Sequence, residues 1–285
     1  MPPLPLPIGK QLQAWRHRRH LSQLALATEA EISQRHLSFI ESGRALPSRE
    51  MLLHLARAMD IPPRARNGLL LAAGYAPLYR ERALDDPEMD VVRQAMARIL
   101  EGHEPHPALA IDRHWNLVLA NRAVAPLLQS ADAGLLTPPV NVLRLSLHPL
   151  GLGPRLVNYG AWRTHVIERL DKQIEQSGDL VLMALRTEII DYPILPDIAV
   201  TCASAVEPLA GIAVPFALRT ERGVLSFLST TTIFGTAVDV SLSELAIESF
   251  FPADASTAAA MRAMLDTAAD VDRAQAGCPA PVSPR

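Results

Sequence analysis

Between residues 8 and 75 the apolar positions recur at spacings of three and four, in short runs separated by tight breaks. Ile8, Leu12 and Trp15 fall at i, i+4 and i+7, which places them on one face of a first helix. Ser22 is suited to cap a second helix carrying Leu24, Leu26 and Ala27, and Ser33 a third carrying Leu37 and Ile40, which Gly43 stops. Ser48, just after Pro47, opens a fourth with Leu52, Leu55, Ala56 and Met59. The Pro62-Pro63 break ends it, and a fifth with Leu69 to Ala73 closes at Gly74 and Pro77. The pattern predicts an all-α bundle of five helices.

Beyond the bundle the pattern changes. The charged, proline-bounded stretch from Arg80 to Pro107 holds one amphipathic helix with Val91, Val92, Ala95, Met96 and Ile99, whose apolar side can pack on its own domain or on a second copy of the chain. Ala108 to Asp112 and Trp115 to Leu119 are short apolar runs divided by Arg113-His114 and read as a hairpin, after which Asn121 is placed to cap a helix ending near Gln129. Residues 141–190 return to helix, with Leu156, Tyr159, Trp162, Val166 and Leu170 on one side and a break at Gly178. Residues 211–234 predict a second hairpin: Ile212, Val214, Phe216 and Leu218 alternate before the Glu221-Arg222-Gly223 turn, and Pro215 marks an edge. A strand from Leu245 to Phe251 and a helix from Ser256 to Ala269 precede a Pro-rich tail expected to be disordered. The expected fold is multidomain: the α bundle over 8–78, a linker helix over 79–104, a mixed α/β domain of antiparallel sheet with helices to one side over 105–270, and a tail over 271–285.

Length agrees with more than one domain, since 285 residues exceed the ~100 to 200 of a typical single one. No uncharged apolar run reaches the ~18 residues of a membrane span, and the start MPPLPLPIGK lacks the apolar stretch of a secretory signal, so a cytoplasmic protein without membrane contact is expected. Cys202 and Cys278, far apart and without nearby histidine spacing, imply neither a metal nor a disulfide. The net charge of -3 hides an asymmetry: residues 1–85 carry 12 Lys+Arg against 7 Asp+Glu, the remainder 15 against 23, or +5 and -8. A basic small half beside an acidic larger one suggests that the first meets a polyanion.

The most informative stretch is Leu21-Ser22-Gln23 followed by Leu26-Ala27-Thr28-Glu29-Ala30-Glu31-Ile32-Ser33-Gln34-Arg35-His36-Leu37-Ser38-Phe39-Ile40-Glu41-Ser42-Gly43-Arg44. Ala27 is small where two helices must cross, while Ile32, Leu37 and Ile40 point inward and leave Gln34, Arg35, Ser38 and Phe39 facing out. Gln and Arg on such a face can make paired hydrogen bonds to adenine or guanine edges in a major groove. The stretch resembles the repressor-type (XRE, or Cro/CI) helix-turn-helix family. The resemblance implies a double-stranded DNA operator as partner, with Gln23 and Ser33 at helix starts and Arg44 gripping the backbone. One departure is Glu31, which stands at the turn site where the family usually has Gly, so a residue with a Cβ is expected near left-handed backbone there.

The remainder resembles the narrower family of MmyB-like regulators through Leu70-Leu71-Ala72-Ala73-Gly74-Tyr75-Ala76-Pro77, then Ala110-Ile111-Asp112-Arg113-His114-Trp115-Asn116-Leu117-Val118-Leu119-Ala120-Asn121-Arg122-Ala123, and Asn141-Val142-Leu143-Arg144. That resemblance implies a PAS-like, dimeric sensor domain whose effector is a small apolar, fatty-acid-like molecule, with no other cofactor. A buried ligand carboxylate would need a charged partner, because desolvating it alone costs several kcal/mol in order of magnitude. Arg144, flanked by Val142, Leu143, Leu145 and Leu147, is the first candidate, followed by Asn121, Asn158 and His148. The hydroxyl-rich strand Val224 to Phe234 adds Ser226 and Thr230, although threonine also simply favours strands.

No catalytic residue is assigned. His103 and His106 flank Pro105, which spoils a helical pair of metal ligands, and no phosphate-binding glycine loop or nucleophile motif is present. The reading is a homodimeric, ligand-controlled DNA-binding regulator. Its rival is a sensor or scaffold that uses the helical domain for protein contacts.

Overall fold

Three serines start three helices of the N-terminal unit in the computed structural model, which describes residues 6–83, 86–198, 214–234 and 239–276. The side-chain oxygens of Ser22, Ser33 and Ser48 accept the N–H groups of Ala25, His36 and Met51. They thereby open α2 (Gln23–Glu29), α3 (Gln34–Glu41) and α4 (Arg49–Ala58), satisfying donors that a bare helix start leaves unpaired. Helices α1 (Ile8–Arg18) and α5 (Pro63–Ala72) follow prolines, whose fixed φ suits a first turn.

Each of the five helices ends in a residue of positive φ: His20, Glu31, Gly43, Asp60 and Gly74. Only two of these are glycines, so three side chains are held in left-handed backbone that costs about 1 to 2 kcal/mol apiece. Glu31, at φ 48°, takes the turn conformation expected of it. The helices close on Leu12, Leu26, Leu37, Ile40, Leu52, Leu55, Leu69 and Leu70, all of them buried. Helix α1 crosses α3 so closely that a Cβ on Gly9 would lie 2.3 Å from the Ile40 carbonyl oxygen.

A second compact unit is built on five antiparallel strands: β1 (Ala108–Ile111), β2 (Leu117–Ala120), β3 (Phe216–Thr220), β4 (Gly223–Ile233) and β5 (Ala246–Pro252), in the order β2-β1-β5-β4-β3. Both expected hairpins form, β1 with β2 and β3 with β4, and β5 enters between them. The helices beyond the bundle are α6 (Asp90–Glu101), α7 (Ala125–Leu128), α8 (Val142–Leu147), α9 (Tyr159–Ser177), α10 (Leu180–Ile190), a single turn α11 (Val240–Ser243) and α12 (Ala255–Ala276), of which α11 and the end of α9 from Asp171 group with the first unit. Gly178, at φ 64°, separates α9 from α10.

Three expectations change. Helices flank both faces of the sheet rather than one: α7, α8 and α9 cover the face carrying Leu117, Phe216, Phe227 and Phe250, while α6 packs on β1 and β2, and α12 along β4 and β5, without reaching that face. The helix expected as a linker buries Met96 and Leu100 within the sheet unit. Asn121 caps no helix: its Oδ1 accepts the Ala108 N–H and its Nδ2 donates to the Leu100 and His106 carbonyls, tying α6 to the first hairpin. Ile212 lies outside the described residues, and of the tail expected from 271, the helix α12 continues to Ala276 and the rest lies outside them.

Candidate DNA-reading surface and effector cavity

The exposed side of α3 gathers the residues singled out from sequence. Gln34 and Arg35 are exposed, Ser38 and Phe39 half-buried, and Leu37 and Ile40 buried on the opposite side. The Phe39 ring carries two cations, with the Arg35 guanidinium carbon 5.3 Å and that of Arg44 5.9 Å from its centroid. Such contacts hold flexible arginines over an aromatic face without consuming their N–H donors. Ser33 stays exposed at the start of α3, and His36, not singled out from sequence, stands exposed beside Arg35.

Gln23 belongs to a cluster that sequence reading missed. Its Nε2 donates to Glu41 Oε2 at 2.8 Å, while Arg16 grips the same carboxylate through Nε at 2.7 Å and Nη2 at 2.9 Å. Both charged side chains are almost fully buried, 6% and 2% exposed. Burial pushes the Glu41 carboxyl up, but the hydrogen bonds from Arg16 and Gln23 outweigh it and hold the group below the usual carboxylate range. A third Arg16 bond, to the Leu21 carbonyl, fastens the turn between α1 and α2. The available sequence signal was an arginine and a glutamate, 25 residues apart, each beside a buried helix position.

In the sheet unit the inner face encloses an apolar cavity of about 100 Å³, lined from β1, β2, β3, β4 and β5 and from α7, α8 and α9. The Asn141 to Arg144 segment builds one wall. Asn141 Oδ1 caps α8 by accepting the Arg144 N–H, and its Nδ2 donates to the His114 carbonyl, which pins α8 to the tip of the first hairpin. At that tip Asp112 Oδ1 accepts the N–H groups of His114 and Asn116, and Trp115 adopts φ 67° with its ring in the cavity wall. Positive φ in an aromatic residue is uncommon and is maintained here by this hydrogen-bonded turn.

The cavity has one ionic corner. Arg169 of α9 donates through Nη2 to Glu248 Oε1 at 2.8 Å and to Thr231 Oγ1 at 3.0 Å, and through Nη1 to Glu248 Oε2 at 3.5 Å. Its guanidinium carbon lies 4.6 Å from the Trp115 ring centroid. Glu248 is almost fully buried, its side chain 5% exposed. On the same lining the buried Trp162 Nε1–H has no hydrogen-bond acceptor among the described residues.

None of the six ligand candidates named from sequence lines this cavity. Arg144 turns outward and pairs with Glu188 at 2.7 Å, both side chains about two-fifths exposed, although its neighbours Val142, Leu143 and Leu145 do line it. Helical periodicity explains the outcome, since a side chain inside an apolar run on a short surface helix still has a solvent side. Asn121 is consumed by the backbone bonds described above, Asn158 donates to the Pro215 carbonyl, and His148 Nδ1 accepts the Leu150 N–H. Ser226 is buried beside α12, where its N–H meets Thr257 Oγ1, and Thr230 is exposed. Arg169 was legible in principle: it falls at i+7 from Trp162 and i+3 from Val166, the one charged residue in that stripe.

The chain thus joins a helical bundle with an exposed, arginine-bearing helix to a separate sheet domain that holds an apolar cavity. Residues 92–264 match the MmyB-like transcription regulator ligand binding domain, and residues 7–69 match a helix-turn-helix domain. The first match covers more than half of the chain, which belongs to the MmyB-like transcription regulators. No curated protein matches. Among solved structures, that of an RNA-binding Light-Oxygen-Voltage receptor is matched at 12% identity and a TM-score of 0.22, over 95% of this chain and 65% of that one. Among the described residues no helix is long and apolar enough to cross a membrane.

Proposed function

We propose that the protein works in the cytoplasm as a homodimer that reads a roughly palindromic operator, each subunit placing α3 in a major groove about one helical turn, ~34 Å, from the other or a multiple of it. Gln34 and Arg35 read base edges; Ser33, Gln23 and Arg44 hold the backbone. The effector is an apolar, fatty-acid-like molecule with an aliphatic chain, bound in the sheet cavity. The observation that carries this reading is the cavity itself, an apolar chamber with a single polar corner inside the domain whose family binds ligands. No catalytic step is assigned: the protein acts by binding.

Control requires that the effector bind one arrangement of the dimer more tightly than the other, since equal affinity shifts nothing. Helix α6, packed on the sheet, is the element proposed to pass that difference on. The test is to select operator DNA with the full chain and titrate its affinity with and without saturated aliphatic acids and alcohols of graded length. A Leu145→Trp variant, which fills the cavity, should lose the effector response while keeping the effector-free DNA affinity. An unchanged affinity across the whole series removes the aliphatic class.

A further inference from the structure

The polar corner of the cavity is already neutral. Among the described residues Arg169 is the only cationic side chain on the lining, and Glu248 and Thr231 engage it. A ligand carboxylate brought to this corner would meet the buried Glu248 carboxylate beside the one cation able to offset it, in surroundings that screen charge poorly. It would have to share Arg169 with Glu248 or displace it. Meanwhile two groups have unused capacity for neutral partners. Trp162 Nε1–H needs an acceptor, and a buried donor left without one is costly enough that native structures rarely contain it. Among the described residues Glu248 Oε2 has only the long 3.5 Å contact to Arg169, whereas Oε1 accepts both Arg169 and Thr231.

Trp115, Trp162, Phe216, Phe227 and Phe250 give an aliphatic chain apolar walls.

We infer that the effector carries an uncharged oxygen, as an alcohol or ketone, on an aliphatic chain, and that the cavity discriminates against the corresponding carboxylate anion. The inference rests on the cavity being the effector site. Glu248 is its specificity-determining residue, rejecting anions and accepting a hydrogen bond from a hydroxyl, and Trp162 donates a hydrogen bond to the ligand oxygen.

The test is calorimetric titration of the full-length protein at pH 8, where octanoate is ionised, with 1-octanol, 2-octanone and sodium octanoate. 1-Octanol and 2-octanone should bind at least about tenfold more tightly than octanoate, a difference of about 1.4 kcal/mol. Glu248→Gln should close or invert that gap, because Arg169 is then left as an unneutralised cation. Should Glu248→Gln fail to fold, Trp162→Phe replaces it and should weaken 2-octanone several-fold while leaving n-octane unaffected. Octanoate binding the wild type as tightly as 1-octanol overturns the inference while leaving the effector site intact. Failure of all three compounds to bind overturns the inference together with the cavity's role.

Discussion

Two arginine–glutamate pairs, one in each unit, are made from the same side chains and serve different ends. Arg16 and Glu41 meet through two short parallel bonds, with Gln23 also donating to Glu41 Oε2 and a packed helical core around them. Arg169 and Glu248 meet through one short bond and one long one, against an aromatic ring, on the wall of an apolar chamber. The first pair's carboxylate bonds are all short, 2.7 to 2.9 Å, and lie in a packed core, so the pair holds the bundle together. The second keeps unused acceptor capacity next to a space that a small molecule can enter. Burial of an ion pair therefore says little about its role; what matters is whether its hydrogen-bonding capacity is consumed by the protein.

The comparison can be broken most forcefully at the closed pair. Arg16→Met leaves Glu41 buried without its cation and is expected to destabilise the helical unit by about 3 to 5 kcal/mol. Amide hydrogen exchange of α1 to α3 in the full-length protein measures this, and unchanged protection there would mean that the pair is not what holds the turn. Next in size, Arg35→Ala should lower discrimination at one base position by about 1 to 3 kcal/mol while sparing the fold, because Arg35 is exposed and rests on the Phe39 ring. Arg44→Ala should instead weaken selected and random DNA alike and reduce the salt dependence of binding. Equal losses on both DNAs for both variants would contradict the division of roles.

The smallest expected effect is on pH. Because the Glu41 carboxyl is held below its unfolded value of about 4.3, its contribution to stability is fully present above that pH and is lost as the pH falls through the folded value. Exchange protection in α1 to α3 should therefore drop on acidification below about pH 4. Glu41→Gln should flatten that drop, whereas Glu248→Gln should leave it unaltered.

The bundle was legible residue by residue, since its signals are local: a serine before each of three helices, apolar residues at three and four, and a glycine after two of them. The strands were legible for the same reason, as was the turn at Gly223. Legibility failed at the cavity. Arg144 stood out among apolar neighbours yet faces outward to Glu188, while Arg169 did not stand out yet faces inward. Local pattern ranks a residue by its flanks, whereas a ligand meets whatever the packing of distant elements leaves uncovered.

Sequence alone therefore determined the helices, the strands and the outward set on α3, because caps, turns and periodicity act within a few residues. Tertiary structure alone decided that β5 enters between two hairpins and that Glu248 thereby meets an arginine 79 residues earlier in the chain. It also decided that their meeting place is the corner of a cavity. Contacts of that span depend on how whole elements pack, and no single segment of the chain encodes them.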